Sequence, residues 1–400
     1  MINIEDMKYA VVITDGAADW PLEERGGRTC LELARKPHLD AMCTEGRVGM
    51  ASTVPEGMEP SSACACMSIM GYDPAVYYTG RGPIEARSMG LHLEEGEVAF
   101  RCNFVTIEDG KMRSFNAGHI SDAESRPLIE SLNKELGDER IRFHPGVGYR
   151  HILTIKNGGD CLDAECTPPH DIPDQPIEGK LPAGPGSELL LNLMEKSKAV
   201  LKDHPVNRER IFAGKLPATM IWLFWGGRGI TDFTSFQERF GVRAALTSGV
   251  GLLEGLAGLT GMTVLKIPGV TDNIDNDYAA QGDGALRALE DHDIVFVHVE
   301  APDESGHEAL TEEKIKSIEQ IDEFIISKLR GKNDLRVLVM PDHPTPIRIR
   351  THVREPVPFV LWGPGFESNG AESFSENAGK ATGLFMEHGH DLMQILTTSS

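Results

Sequence analysis

This 400-residue sequence predicts an α/β fold: a parallel-rich sheet flanked by helices, with a smaller α+β module inserted into it. Three features carry that expectation. Short apolar, β-branched runs recur near both ends, helical repeats lie between the later runs, and a stretch of different texture separates the two sets. The first run, residues 9–14, reads Tyr9-Ala10-Val11-Val12-Ile13-Thr14 and stops at Asp15-Gly16. A run that is apolar throughout, rather than alternating, suits a strand buried on both faces. Similar runs follow at 264–267, Ile294–Val299, Leu335–Met340 and 358–362. Between them lie helical patterns at 279–289 and 311–329, where Ile315, Ile318, Ile321, Ile325 and Leu329 repeat at helical spacing. Strand alternating with helix predicts parallel pairing, with helices on both faces of the sheet.

The middle of the chain reads differently. Polar-punctuated strands at 99–106 and 151–155, a helix at 123–136 and a Pro-rich passage at 167–185 predict an inserted α+β module over residues 91–189. The larger part is then formed by residues 1–90 and 190–400. Internal repeats and low-complexity tracts are absent.

Charge and cysteine content narrow the function. With 39 Lys plus Arg against 61 Asp plus Glu, the formal charge is −22. Such a surface repels phosphate backbones and anionic lipid, which argues against nucleic-acid and membrane-surface partners. Residues 1–30 lack the pattern of a signal peptide and no run of about 18 apolar residues occurs, so a cytoplasmic protein is expected. The seven cysteines form no paired CxxC pattern. Cys64 and Cys66 read as small buried side chains on one face of a tight segment rather than a redox pair.

In open α/β sheets ligands bind beyond the carboxyl ends of the strands, so the polar residues that follow each apolar run matter most. The first run delivers Asp15, and Ile294–Val299 leads into Glu300-Ala301-Pro302-Asp303-Glu304-Ser305-Gly306-His307. Leu335–Met340 leads into Pro341-Asp342-His343, with His352 shortly after. Any one of these is accounted for by a hydrogen-bonded loop position. Their joint occurrence, three Asp and three His, is the ligand chemistry of transition-metal ions. A second constellation, Pro60-Ser61-Ser62-Ala63 at the start of a predicted helix, places hydroxyls where a helix N-terminus favours anions. Alone, Ser61 and Ser62 read as capping residues; beside metal ligands, a serine becomes an activatable nucleophile.

Taken together, Asp15-Gly16, Pro60-Ser61-Ser62, Gly71-Tyr72-Asp73-Pro74, Asp303-Glu304-Ser305-Gly306-His307, Asp342-His343 and His352 resemble the cofactor-independent phosphoglycerate mutases of the archaeal type, in the alkaline phosphatase superfamily. The resemblance runs from about Lys8 to near the C-terminus in the family's order. It implies an alkaline-phosphatase-like sheet and two divalent ions, usually Mn2+, with Mg2+, Co2+ or Zn2+ as alternatives. One ion would be held by Asp303, His307 and His352, the other by Asp15, Asp342 and His343 with the Ser62 hydroxyl. The chain departs from the family at Ser61, where Gly is usual, at Ala63, where Asp is usual, and at Cys66, where Asn is common.

The reaction implied is interconversion of 3-phosphoglycerate and 2-phosphoglycerate through phosphoserine at Ser62, without bisphosphoglycerate. The partner is thus a small phosphorylated acid. The inserted module would cap the substrate, with Arg81, Arg101 and Arg150 as candidates for its anionic groups, and His119, His151 and His170 as candidates for proton transfer. Trp222 and Trp225 read as core aromatics. Two other readings stay open: a metal-dependent phosphatase or homoserine-kinase-like phosphotransferase of the same superfamily, and a catalytically dead metal-binding regulator. A dinucleotide-binding oxidoreductase is disfavoured because no GxGxxG follows the first run.

Overall fold

A computed structural model describes residues 7–230, 233–332 and 334–398. In chain order its strands are β1 (Lys8–Thr14), β2 (Arg47–Ala51), β3 (Val98–Glu108), β4 (Lys111–Ser114), β5 (Ile141–Val147), β6 (Arg150–Ile155), β7 (Met220–Arg228), β8 (Ala244–Thr247), β9 (Thr263–Val264), β10 (Ile294–Val299), β11 (Leu335–Met340), β12 (Val357–Trp362) and β13 (Phe385–Met386). The chain divides into two compact units, Met1–Tyr78 with Phe233–Ser400, and Thr79–Asp232.

The first unit carries an eight-stranded sheet in the order β13-β2-β12-β11-β1-β10-β8-β9. β1 pairs in parallel with β10 on one side and β11 on the other, and β8 and β9 continue the parallel set. Ala10, Val11, Val12 and Ile13 have no exposed surface, as an uninterrupted apolar run requires. Burying each of the larger ones contributes roughly 1.5–3 kcal/mol relative to exposure. The 311–329 repeat forms Thr311–Ile321, a π-helical turn at Asp322–Ile326, and Ser327–Arg330. One strand breaks the parallel rule. β12 runs antiparallel to both β11 and β2. Its N-terminal end therefore lies at the edge where β1, β2, β10 and β11 have their carboxyl ends.

The second unit is α+β, an antiparallel sheet in which β3 pairs β6 on one side and β7 on the other, with β5 beyond β6. Helices Asp122–Leu136 and Ser187–Lys202 cover it, burying Leu128, Leu132, Leu190 and Leu193 with Phe100, Phe104 and Trp222. This unit spans Thr79–Asp232, wider than the expected 91–189. The cause is non-local: β7, well past the Pro-rich passage, hydrogen-bonds along β3 from Val105↔Met220 to Val98↔Arg228.

Candidate active site

Every residue named above as a metal ligand lies in the first unit, and the shared carboxyl edge of the sheet brings them together. β1 ends at Thr14 and is followed directly by Asp15, which is fully buried. Gly16 follows with φ +60°, and a Cβ there would collide with the Asp303 backbone and carboxylate, so only glycine lets β1 turn this close to Asp303. β10 opens into helix Ala301–His307, whose buried Asp303 and half-buried His307 stand four residues apart on one face. β11 ends before Asp342 and His343, both fully buried. Helix Ser62–Ile69 follows β2. Ser61 is its cap, accepting from the Cys64 N–H at 3.4 Å, while Ser62 is its first residue, with Oγ 3.3 Å from His343 Nε2.

Hydrogen bonding at the Nδ1 atoms aims three imidazoles inward. His307 Nδ1 lies 3.0 Å from the Arg350 carbonyl and His352 Nδ1 3.3 Å from that of Pro60. A carbonyl only accepts, so in each ring Nδ1–H donates and the neutral form presents a lone pair at Nε2. Those two Nε2 atoms are 2.8 Å apart. Asp303 adds Oδ2 at 3.0 Å from His307 and Oδ1 at 3.5 Å from His352. Two lone pairs and a carboxylate converging on one point repel unless a cation or an extra proton lies between them. His343 is arranged alike: Nδ1 meets the Thr345 hydroxyl at 3.2 Å, that hydroxyl donates to Asp303, and Nε2 faces Asp342 Oδ2 at 2.9 Å and Asp15 Oδ1 at 3.7 Å.

The electrostatics fit a site that expects a cation. Burial, with Asp342 and Glu300 nearby, pushes the Asp15 carboxyl well above the usual carboxylate range. Its Oδ1 is sealed from solvent and has no hydrogen-bond partner. Burial also opposes the charge on Asp303, but hydrogen bonds from His307 and His352 hold it well below that range. The hydrogen bond to Asp303 in turn raises His307 to about 9. Ligand atoms of Asp303, His307 and His352 lie within 4.8 Å of one another, as do those of Asp15, Asp303 and His343. The orphaned Asp15 oxygen and the opposed Nε2 atoms are the donor set that divalent ions complete.

His298 is a functional residue that sequence reasoning missed. It lies inside β10, its Nε2–H donating to Asp15 Oδ2 at 2.7 Å while Nδ1 meets Ser248 Oγ at 2.9 Å. Burial lowers it to about 4, so it is the neutral clamp that orients Asp15. A lone imidazole within Ile294–Val299 was the available signal.

The other named residues belong to the second unit. Arg81 and Arg101 both pair with the buried carboxylate of Glu85, Arg81 at 2.7 Å, and Arg101 also donates to Asn103 Oδ1 at 2.8 Å. Trp225, half-buried and at φ +50°, packs against the core beside Phe224, as expected, and Arg81 lies over its ring, 4.2 Å from the centroid. Trp222 is core, its indole N–H bonded to the Thr167 carbonyl at 2.8 Å. Arg150 is exposed against Tyr149. His151 is buried, Nδ1 accepting from the Gly146 N–H at 3.0 Å with Nε2 unpartnered, and burial followed by Arg101 lowers it to about 3. His119 sits apart in an exposed left-handed turn at φ +53°, and His170 packs among Phe115, Phe224 and Trp225.

The fold and this edge define a class: an α/β protein whose sheet gathers carboxylates and imidazoles, donors of the kind divalent metals take, beside a helix-terminal serine. Comparison narrows it. Residues 43–207 match the family described as 2,3-bisphosphoglycerate-independent phosphoglycerate mutase. A protein of that name from Methanothrix thermoacetophila is 47% identical, over 98% of this chain and 99% of its own. Among solved structures, a Pyrococcus horikoshii protein superposes with TM-score 0.82 at 27% identity, covering 98% of this chain and 96% of that one. A cofactor-independent phosphoglycerate mutase from Thermoplasma acidophilum gives 0.68 at 26%, with 98% of each chain covered. The chain belongs to the 2,3-bisphosphoglycerate-independent phosphoglycerate mutases, a family of isomerases. No helix among the described residues is long and apolar enough to cross a membrane.

Proposed function

We propose that this protein interconverts 3-phosphoglycerate and 2-phosphoglycerate by passing the phosphoryl group through Ser62. The observation that carries this reading is the position of Ser62 Oγ, at the first residue of a helix and 3.3 Å from His343 Nε2, beside two convergent carboxylate–imidazole sets. The Ser62 hydroxyl gives up its proton as Oγ attacks phosphorus, the bond from phosphorus to the substrate oxygen breaks, and the departing glycerate oxygen takes up a proton. Glycerate then presents its other hydroxyl, which loses its proton and attacks the phosphoserine phosphorus, the bond from phosphorus to Oγ breaks, and Ser62 Oγ takes a proton back. Donor and acceptor are the same glycerate, so bisphosphoglycerate is not required.

The residues that would hold the divalent ions are Asp303, His307 and His352 for one, and Asp15, Asp342 and His343 with Ser62 for the other. Mn2+ is the proposed ion, and Mg2+, Co2+ and Zn2+ are compatible with the same donors. When bound, such ions lower the pKa of a coordinated hydroxyl and neutralise phosphoryl oxygens. His298 keeps Asp15 oriented, and the Nδ1–H bonds of His307 and His352 keep their rings turned inward. In the second unit Arg81, Arg101 and Arg150 are proposed to take the substrate's carboxylate and phosphate, and His119 and His151 to assist, the whole unit acting as substrate cap. The fork of Arg101, already fixed by Glu85 and Asn103, supports that role because a prepositioned guanidinium loses little freedom on binding.

Purified protein with Mn2+ and 3-phosphoglycerate is expected to form 2-phosphoglycerate, and mass spectrometry of the quenched reaction to find phosphate on Ser62. Release of inorganic phosphate with no isomer would replace this reading with a phosphatase.

A further inference from the structure

The cluster contains one soft donor outside the ligand sets just named. Cys66 is four residues after Ser62 in helix Ser62–Ile69, so the two side chains share a helix face, and the face that presents Ser62 Oγ to His343 also presents Cys66 Sγ to Asp342. Sγ lies 3.9 Å from Asp342 Oδ2, and Cys66 is fully buried. Cys64, two residues earlier, points elsewhere and packs with Val54, Ala65 and Met58. The expectation that both cysteines share one face is therefore corrected, because positions two apart on a helix diverge.

A second observation makes Cys66 more than a buried thiol. Asp15 Oδ2 is engaged by His298, whereas the buried Oδ1 has no hydrogen-bond partner and stands 3.7 Å from His343 Nε2. Asp15, Cys66 and His298 bring ligand atoms within 4.8 Å of one another. With metal–sulfur bonds near 2.3 Å and metal–oxygen bonds near 2.1 Å, donors around one tetrahedral ion stand roughly 3.6 Å apart. The Cys66–Asp342 separation is close to that span. Among the described ion pairs Asp15 Oδ1 meets only His343 Nε2, at 3.7 Å and beyond hydrogen-bond reach, while Oδ2 is taken by His298.

We propose that Cys66 is a thiolate ligand of the divalent ion on the Asp15 side, joining Asp15 Oδ1, Asp342, His343 and the Ser62 hydroxyl. This inference rests on the metal-centre reading above and deepens it. The thiol proton leaves to solvent as the metal–sulfur bond forms, since a coordinating thiol is deprotonated outright. A site with sulfur among its donors favours Zn2+ or Co2+ over Mn2+ and Mg2+, so the two ions of this protein differ in chemical preference.

The test uses the full chain loaded with Co2+ and no substrate. A near-ultraviolet sulfur-to-cobalt charge-transfer band is expected, with two cobalt ions bound per chain by elemental analysis. The band is expected to vanish in Cys66→Ala and Cys66→Ser and to persist in Cys64→Ala. In competition experiments the preference for Zn2+ over Mn2+ at one site is expected to fall at least about tenfold in Cys66→Ser. X-ray absorption of the zinc-loaded, unsubstituted protein gives a readout independent of any variant, with a sulfur scatterer expected at about 2.3 Å. Two bound cobalt ions without the band, or a band surviving both Cys66 substitutions, would overturn the thiolate ligand and leave the mutase reading intact. Failure to bind cobalt at all would overturn both.

Discussion

Two buried carboxylates, Asp15 in the first unit and Glu85 in the second, are balanced in opposite ways. Glu85 is flanked by Arg101 and Arg81, and although burial opposes its charge, those two guanidinium groups hold it below its usual range. Asp15 is surrounded by Asp342, Glu300 and Asp303, so burial and like charge both drive it up. The second unit thus neutralises its polar interior with its own side chains. The first unit instead converges carboxylates and imidazole lone pairs on the same points, a deficit of positive charge that only an external cation or extra protons remove. The arrangement in the second unit supports fixed recognition of an anion, and that in the first supports ion-dependent chemistry.

The sharpest way to probe the first unit is to remove its nucleophile. Ser62→Ala is expected to cut mutase turnover by roughly 10⁴-fold or more, about 5.4 kcal/mol of barrier, while thermal unfolding stays close to that of the parent. Retained turnover would mean the cluster serves something other than Ser62. For the second unit, Arg101→Met leaves a buried Glu85 with one partner in place of two. A loss of about 3–5 kcal/mol in that unit's stability is expected, read as a lower urea midpoint. A change below about 1 kcal/mol would show that Arg81 alone balances Glu85 and would erase the contrast.

Chelation tests the external cation directly. Removing divalent ions present at about 100 times their dissociation constant is expected to cost roughly 2.7 kcal/mol for each site emptied, and the effect should fall on the first unit's transition alone. The smallest expected effect concerns Glu124, at the start of helix Asp122–Leu136, which bonds Ser121, Arg210 and Lys215. Burial, the largest single influence, opposes its charge, but the Ser121 bonds and the two cations together outweigh it and lower the group to about 2. Because its folded value lies below the ordinary 4.5, its contribution is complete above pH 4.5 and is lost as pH falls toward 2. Glu124→Gln should cost about 1–2 kcal/mol at about pH 7, after solvent screening, and flatten the stability profile between those pH values. An unchanged slope would assign the acid sensitivity to other carboxylates.

Much of the site was legible because strand ends are local signals. Asp15, Asp303, Asp342 and His343 each follow an apolar run, and parallel strands send such residues to one edge whatever their order in the sheet. The i, i+4 spacings Asp303–His307 and Ser62–Cys66 likewise put each pair on a common helix face by helical periodicity alone. The sequence by itself therefore determined the class of fold, the carboxyl edge as the place of chemistry, and most of the donor atoms. Tertiary structure decided the rest. The antiparallel course of β12, which returns His352 to that edge, depends on its hydrogen bonds to β11 and β2, and nothing within residues 357–362 specifies the direction of a neighbour. The reach of the second unit to Asp232 depends on β7 pairing with β3, a strand far earlier in the chain. The clamp of His298 on Asp15, and the partnerless Oδ1 it leaves behind, arise only when β10 lies against β1 in register. Periodicity reports what a segment does with its own neighbours, whereas pairing direction, register and unmet hydrogen bonds are properties of contacts between distant segments.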